Sequence, residues 1–226
     1  MRVKVLRYDP VRDQKPWYQG FNVPIKEKGI KVLGVLEYLN REMGANIAYR
    51  SSCRSGQCGS CAMMINRKPG LACRTPARNG MVLEPLRNFP VIKDLVVDIR
   101  PTKERMARLR PYLHRGTEKF TGKVESISLK KTKFKEFKDC IECYSCLGGC
   151  PVKESDCEYA GPTLMRLLAR FELDPRDAAD RLTTAVEEGL YKCTTCGKCT
   201  AVCPEGFRIH EDVIERMREK VYKRSK

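Results

Sequence analysis

The residues most able to do chemistry are cysteines: the 226-residue chain has thirteen, and twelve of them fall in three short groups. The first group is Cys53, Cys58, Cys61 and Cys73. The second is Cys140, Cys143, Cys146 and Cys150, and the third is Cys193, Cys196, Cys199 and Cys203. Thiolates are soft metal ligands. Tight grouping in a chain without a recognisable secretory leader reads as metal binding rather than as disulfides. The opening MRVKVLRYDPVRDQKPWYQG carries charges throughout and has no apolar core of a leader. No stretch approaches the roughly 18 apolar residues of a membrane span, so a soluble chain in a reducing compartment is expected. Cys157 stands outside the groups and is expected to be a buried or idle thiol rather than a ligand.

Spacing narrows the metal. Cys53-x4-Cys58-x2-Cys61, completed by Cys73, is the plant-type spacing for a [2Fe–2S] cluster. A loop around a flat two-iron cluster must turn thiolates inward and backbone N–H groups toward sulfide, and Gly56 and Gly59 permit the necessary torsions. Structural zinc prefers C-x2-4-C pairs separated by a longer span. The second and third groups each read C-x2-C-x2-C-x3-C-P, offset by 53 residues (Cys140 to Cys193). In this bacterial ferredoxin run the fourth cysteine ligates the other cubane cluster. Applied twice, the rule assigns Cys140, Cys143, Cys146 and Cys203 to one cubane, and Cys193, Cys196, Cys199 and Cys150 to the other.

The elements that must position these groups follow from pattern. Arg2–Tyr8 alternates like a half-buried strand and Asp9-Pro10 turns the chain; Trp17–Val23 is extended. Val32, Leu33, Val35, Leu36 and Leu39 form one helical face, with Gly44 as a stop. Ile47–Tyr49 reads as a short strand. Ala62–Ile65 leads into a turn at Arg67–Gly70, and Pro90–Asp98 closes the half, giving one helix on a small mixed sheet. Thr102–Tyr112 reads as a basic connecting helix and 116–138 as a charged linker. Beyond residue 139 the pattern is helical. One helix is expected to begin at Asp174-Pro175 and end at Gly189. The last is expected over Glu211–Tyr222, with Val213, Ile214, Met217 and Val221 on one side.

The formal charge of +16 would be partly offset by clusters, each four-thiolate cubane carrying roughly −2 when oxidised. The basic runs at Leu129–Lys135 and Lys220–Lys226 suit docking to an acidic protein or an anionic surface, or a merely solvated face. No helicase, nuclease or base-binding motif supports a nucleic-acid role. The chain has no phosphate-binding glycine loop and no Ser–His or Cys–His constellation. His114 and His210, in basic surroundings of helical pattern, are expected in surface or packing roles. No carbon-substrate site is expected on this chain; it carries electrons, and a partner does the chemistry.

From VLRYDP onward the sequence resembles the iron–sulfur subunit of the succinate dehydrogenase and fumarate reductase family. The resemblance rests on SCRSGQCGSCAM, GLACRTP, PVIKDLVVD, CIECYSCLGGCP and GPTLMRLLARF. It implies an α+β chain: an N-terminal β-grasp [2Fe–2S] ferredoxin-like domain (1–100), a basic connecting helix and linker (101–138), and a C-terminal all-α double-cluster ferredoxin domain (139–226). It also implies a flavoprotein partner holding covalent FAD and the succinate/fumarate site. Electrons would pass between flavin and the Cys53, Cys140 and Cys193 centres in turn. Most of this family has an apolar residue in place of Cys196 and a [3Fe–4S] third cluster. A thiolate here implies [4Fe–4S] at lower potential, with [3Fe–4S] retained only if Cys196 does not ligate. Quinone-reactive members resemble each other in a tryptophan after the first Cys-Pro and a histidine after the first cysteine of the last group. This chain has Val152–Ser155 and Thr194 there, and its one tryptophan, Trp17, is expected to pack in the other domain.

The variant resembles archaeal members and the thiol-dependent fumarate reductases of methanogens. The implied acceptor is a quinone, methanophenazine or thiol/disulfide couple, reached through a membrane-anchor subunit or a cysteine-rich subunit related to heterodisulfide reductase. The chain itself would lie in the cytoplasm, meeting the inner face of the cell membrane only through a partner. The other readings are the same relay on a glycerol-3-phosphate or glycolate type flavin dehydrogenase or a heterodisulfide-reductase-like complex, and a free multi-cluster ferredoxin.

Overall fold

Val3 and Val5 point into a core while Arg2 and Lys4 face water, so strand β1 (Arg2–Arg7) has one wet face and one dry one. This is the computed structural model of the chain, describing residues 1–24, 29–115 and 137–225. The basic run Leu129–Lys135 and most of the expected linker lie outside the described residues. Two compact units divide the chain. One comprises Met1–Arg100 and Ile141–Gly149, the other Pro101–Cys140 and Cys150–Lys226.

In the first unit β1 pairs antiparallel with β2 (Trp17–Asn22) and parallel with β5 (Met81–Glu84). Strand β3 (Ala62–Ile65) joins β5 and the edge strand β4 (Lys68–Leu71), giving the order β2-β1-β5-β3-β4. A small ribbon, β6 (Val91–Lys93) and β7 (Val96–Val97), follows. Helix α1 (Val32–Glu42) buries the five residues expected, Val32, Leu33, Val35, Leu36 and Leu39. They enter one core with Val3, Val5, Leu71, Met81 and Leu83. Each such side chain contributes about 1.5–3 kcal/mol of burial. One helix gripped by a mixed sheet is the β-grasp arrangement.

Three local expectations change here. Ile47–Tyr49 is not a strand: the Asn40 side chain bonds both the N–H and the C=O of Ile47 at 2.8 and 2.9 Å. Buried Asp94 takes the Ala48 N–H at 2.9 Å. Backbone groups satisfied by side chains need no ladder. The hairpin reverses two residues earlier than expected, at Asn66-Arg67, whose φ values of 50 and 64° suit a two-residue turn. Lys68–Gly70 is therefore strand, and Pro69 is tolerated because β4 is an edge. Trp17 is 47% exposed on edge strand β2, not packed in a core.

Helix α2 (Arg100–Arg108) leads into the second unit. In chain order follow α3 (Ser145–Gly148, in the first unit), α4 (Pro151–Ser155), α5 (Pro162–Glu172), α6 (Arg181–Glu187), α7 (Lys198–Ala201) and α8 (Arg216–Arg224). Helix α5 is buried along its whole first two turns and is the centre of this unit. The helix expected from Asp174-Pro175 begins instead at Arg181. The Asp174 carboxylate closes on Arg176 at 2.7 Å, and Asp180 is the cap, accepting the Thr183 N–H at 3.1 Å. Ile209–Glu215 is a π-helical turn running into α8. Val213, Ile214 and Met217 are buried as expected, and Val221 is half-buried.

Candidate metal centres

The first cysteine loop hangs from the hairpin that ends it. Ala62 pairs with Leu71, and the Ala72 N–H donates to the Cys61 carbonyl at 3.1 Å. That register brings buried Cys61 and Cys73 together, their sulfurs 3.4 Å apart. Cys53 and Cys58 lie on the outer side of the loop. The Cys53 sulfur accepts the N–H groups of Gln57 at 3.2 Å and Cys58 at 3.3 Å. Backbone donation, from Ser55 first, holds the Cys53 thiol down to about 6. Cys58 is lowered as well, by the Ser60 hydroxyl first. Burial does the opposite at Cys61, pushing it up to about 11. The loop thus offers N–H groups to anionic sulfur on one side and two desolvated thiols on the other. Bound iron would hold Cys61 as a thiolate despite its burial.

Gly59 makes this loop possible. Its φ is +69°, and a Cβ there would meet the Ile141 carbonyl oxygen at 2.6 Å and Cys143 Cα at 2.8 Å. The Ile141–Gly149 segment therefore backs directly onto the first loop within the first unit. Asn88 donates to the Leu147 carbonyl at 2.7 Å, and Tyr144 meets Phe89 edge-on with centroids 5.8 Å apart. Cys143 is buried in this packing and Cys146 half-buried.

The two repeats share one backbone frame. In the first, Glu142 and Tyr144 flank Cys143 with φ of 49 and 59°, and α3 follows. In the second, Thr195 and Gly197 flank Cys196 with φ of 56 and 68°, and α7 follows. Both pairs, and both helical turns, are separated by the 53 residues of the sequence repeat. Sequence reading found the spacing but not the left-handed residues, which are mostly not glycine.

In the second unit Cys150, Cys193, Cys196 and Cys199 keep one another's company. Burial pushes the Cys199 thiol up to about 12, with Cys193, Cys150 and Cys196 adding like charge. Cys150 is raised by burial first, then by Cys193 and Cys196. Cys203 is raised by burial, with Cys140 among its neighbours. Sequence reading missed Tyr159, buried at 1% exposure. Burial first, and then the neighbouring Cys193 and Cys150 sulfurs, push its hydroxyl up. Its only sequence signal is a large polar aromatic just before the buried helix α5. Among the described residues no three His, Cys, Asp or Glu side chains converge as they would on one ion; a cluster spreads its thiolates over separate irons.

Cys157 is exposed rather than buried. Its carbonyl, not its thiol, is engaged, by Arg105 at 3.0 Å and Lys153 at 2.7 Å. His114 sits in an irregular stretch, not a helix, and stacks on Tyr112 at 4.7 Å. His210 lies 3.4 Å from Glu215.

Comparison with known proteins places both cysteine-bearing regions in iron–sulfur domain families. Residues 2–104 match the model of a 2Fe-2S iron-sulfur cluster binding domain, and residues 136–207 that of a 4Fe-4S dicluster domain. The fumarate reductase iron-sulfur subunit of Mycobacterium tuberculosis is 37% identical over 90% of this chain and 86% of its own length. The chain belongs to the family of fumarate reductase and succinate dehydrogenase iron–sulfur subunits. A chain of the Mycobacterium smegmatis Sdh1 complex in the apo form superposes with a TM-score of 0.89 at 30% identity, covering 99% of this chain and 95% of that one. The fold is thus a [2Fe–2S] ferredoxin domain with a sheet followed by a mainly helical dicluster domain. One of the subunits of a fumarate reductase (CoM/CoB) from Methanothermobacter marburgensis is 45% identical over 96% of this chain. This chain spans only 44% of that relative's length, and 42 and 43% of two further methanogen iron–sulfur proteins.

Proposed function

We propose that this chain is the electron relay of a fumarate reductase or succinate dehydrogenase, joining the FAD of a flavoprotein partner to a thiol/disulfide acceptor carried by a cysteine-rich subunit. When bound, one [2Fe–2S] and two [4Fe–4S] clusters supply the one-electron carriers, about ten irons per chain. Cys53, Cys58, Cys61 and Cys73 hold the first. Cys140, Cys143, Cys146 and Cys203 hold the second, and Cys150, Cys193, Cys196 and Cys199 the third.

The observation that carries this reading is the duplicated frame. Cys196 sits between left-handed neighbours just as Cys143 does, which supports reading it as a ligand rather than as a stray thiol. Buried Tyr159 neighbours the Cys193 and Cys150 sulfurs and supports the third set as its polar neighbour. The thiol/disulfide acceptor is favoured by the methanogen relative named for CoM/CoB. Thr194 and Val152–Ser155 also stand where the quinone-reactive resemblance expects histidine and tryptophan. Among the described residues no helix is long and apolar enough to cross a membrane.

The test is anaerobic isolation of the native complex, chemical reduction, and EPR before and after adding fumarate. The proposal expects the reduced-cluster signals to vanish. Signals that persist beside an intact flavoprotein would assign the relay to another dehydrogenase.

A further inference from the structure

The second unit contains two deeply buried arginines outside any metal site, and they are treated differently. Arg181, 3% exposed, has its guanidinium fully engaged. It pairs with Asp177 at 2.6 Å, donates to the carbonyls of Leu109, Arg110 and Tyr112, and lies over the Phe171 ring. Arg166, 2% exposed on the central helix α5, makes one bond, from Nη1 to the Phe137 carbonyl at 3.1 Å. Its Nε and Nη2 are buried with no hydrogen-bond partner. No carboxylate among the described residues pairs with it. Arginine cannot shed its proton, and a buried unpaired cation is strongly disfavoured. A counter-charge is required.

The surroundings say where it comes from. Phe137 lies three residues before Cys140, and its ring meets Phe207 edge-on at 6.2 Å. Phe207 follows Cys203 by four residues, and both the Phe207 backbone and Cys140 act on the Cys203 thiol. The lone guanidinium thus sits beside the segment leading to Cys140, one aromatic contact from the loop holding Cys203. We propose that Arg166 is the internal counter-cation of the cubane centre that takes Cys140 and Cys203, and that it raises that centre's reduction potential. This rests on the cluster assignment above. Reduction makes a cluster more anionic, so a fixed buried cation stabilises the reduced form more than the oxidised one. Arg166 is a positioning and tuning residue, not a ligand.

The experiment is an anaerobic EPR-monitored redox titration of the loaded complex carrying wild type, Arg166→Met or Arg166→Lys. At the wild-type midpoint, Arg166→Met should lower the reduced-to-oxidised ratio of this one centre tenfold or more, a shift of about 59 mV for a one-electron couple. Arg166→Lys should retain most of the potential, and the Cys53 centre should not move. An unchanged potential in loaded Arg166→Met, or an equal shift at every centre, overturns the proposal. Should Arg166→Met fail to load, Arg166→Lys decides. Loading with the potential held supports the charge role, and equal failure of both variants overturns it. Absence of cubane signals in the wild type would overturn the cluster assignment itself, a distinct result.

Discussion

Cys143 and Cys196 occupy the same place in two frames 53 residues apart, each between left-handed residues and each followed by one helical turn. Cys143 is nevertheless buried and Cys196 exposed. In the sheltered frame the left-handed residue after the cysteine is Tyr144, 5% exposed and packed on Phe89. In the open frame it is Gly197, where a Cβ would meet nothing within 4 Å. At this one position the first frame offsets backbone strain with packing, and the second avoids it by having no side chain. The difference matches two roles. In the proposed relay the buried frame suits a middle carrier and the exposed frame a terminal carrier that meets a partner.

Removing the two cysteines should break the comparison most visibly. Cys143→Ser takes a thiolate out of a packed core and should cost the whole second cubane, about four irons per chain, with loss of thermal stability. Cys196→Ser should cost about one iron and leave a [3Fe–4S] signal with little change in melting. Iron analysis with EPR of both variants checks this, and equal losses would erase the distinction.

Exposure and burial also divide the first loop. In chain stripped of iron, Cys53, held down to about 6, is largely thiolate at neutral pH, while Cys61, pushed up to about 11, is not. Alkylation followed by mass mapping should label Cys53 roughly a thousandfold faster. Because the Cys53 value is lowered, its labelling should fall away as pH drops through about 6. Equal rates would contradict the loop geometry.

The strained positions sharpen the contrast at smaller scale. Tyr144→Ala should destabilise by about 3 kcal/mol, the loss of a buried aromatic. Gly197→Ala should cost only about 1–2 kcal/mol, the penalty of a left-handed residue with a Cβ. Denaturant melts of the loaded chain give both values. A larger effect at Gly197 would reverse the argument about packing and strain.

How much of this was legible in the sequence depends on the kind of interaction. The helix face Val32–Leu39 and the strand Arg2–Arg7 were readable because burial imposes a period. The cysteine spacing was readable because a cluster imposes one too. Ile47–Tyr49 misled because Asn40 and Asp94, far apart in sequence, satisfy its backbone. Asp174 misled because Arg176 captures its carboxylate, leaving Asp180 to cap α6. Tyr159 and Arg166 could not be found by pattern at all, since their importance lies in what surrounds them rather than in their spacing.

The most direct test is the iron content and EPR of the anaerobically isolated wild-type chain in its complex, oxidised and then reduced. With Cys196 as a ligand, about ten irons are expected per chain. No three-iron signal should appear on oxidation, and two cubane signals should appear on reduction. One iron fewer, with a [3Fe–4S] signal in the oxidised protein, would mean that Cys196 is not a ligand and that the duplicated frame does not report on cluster type.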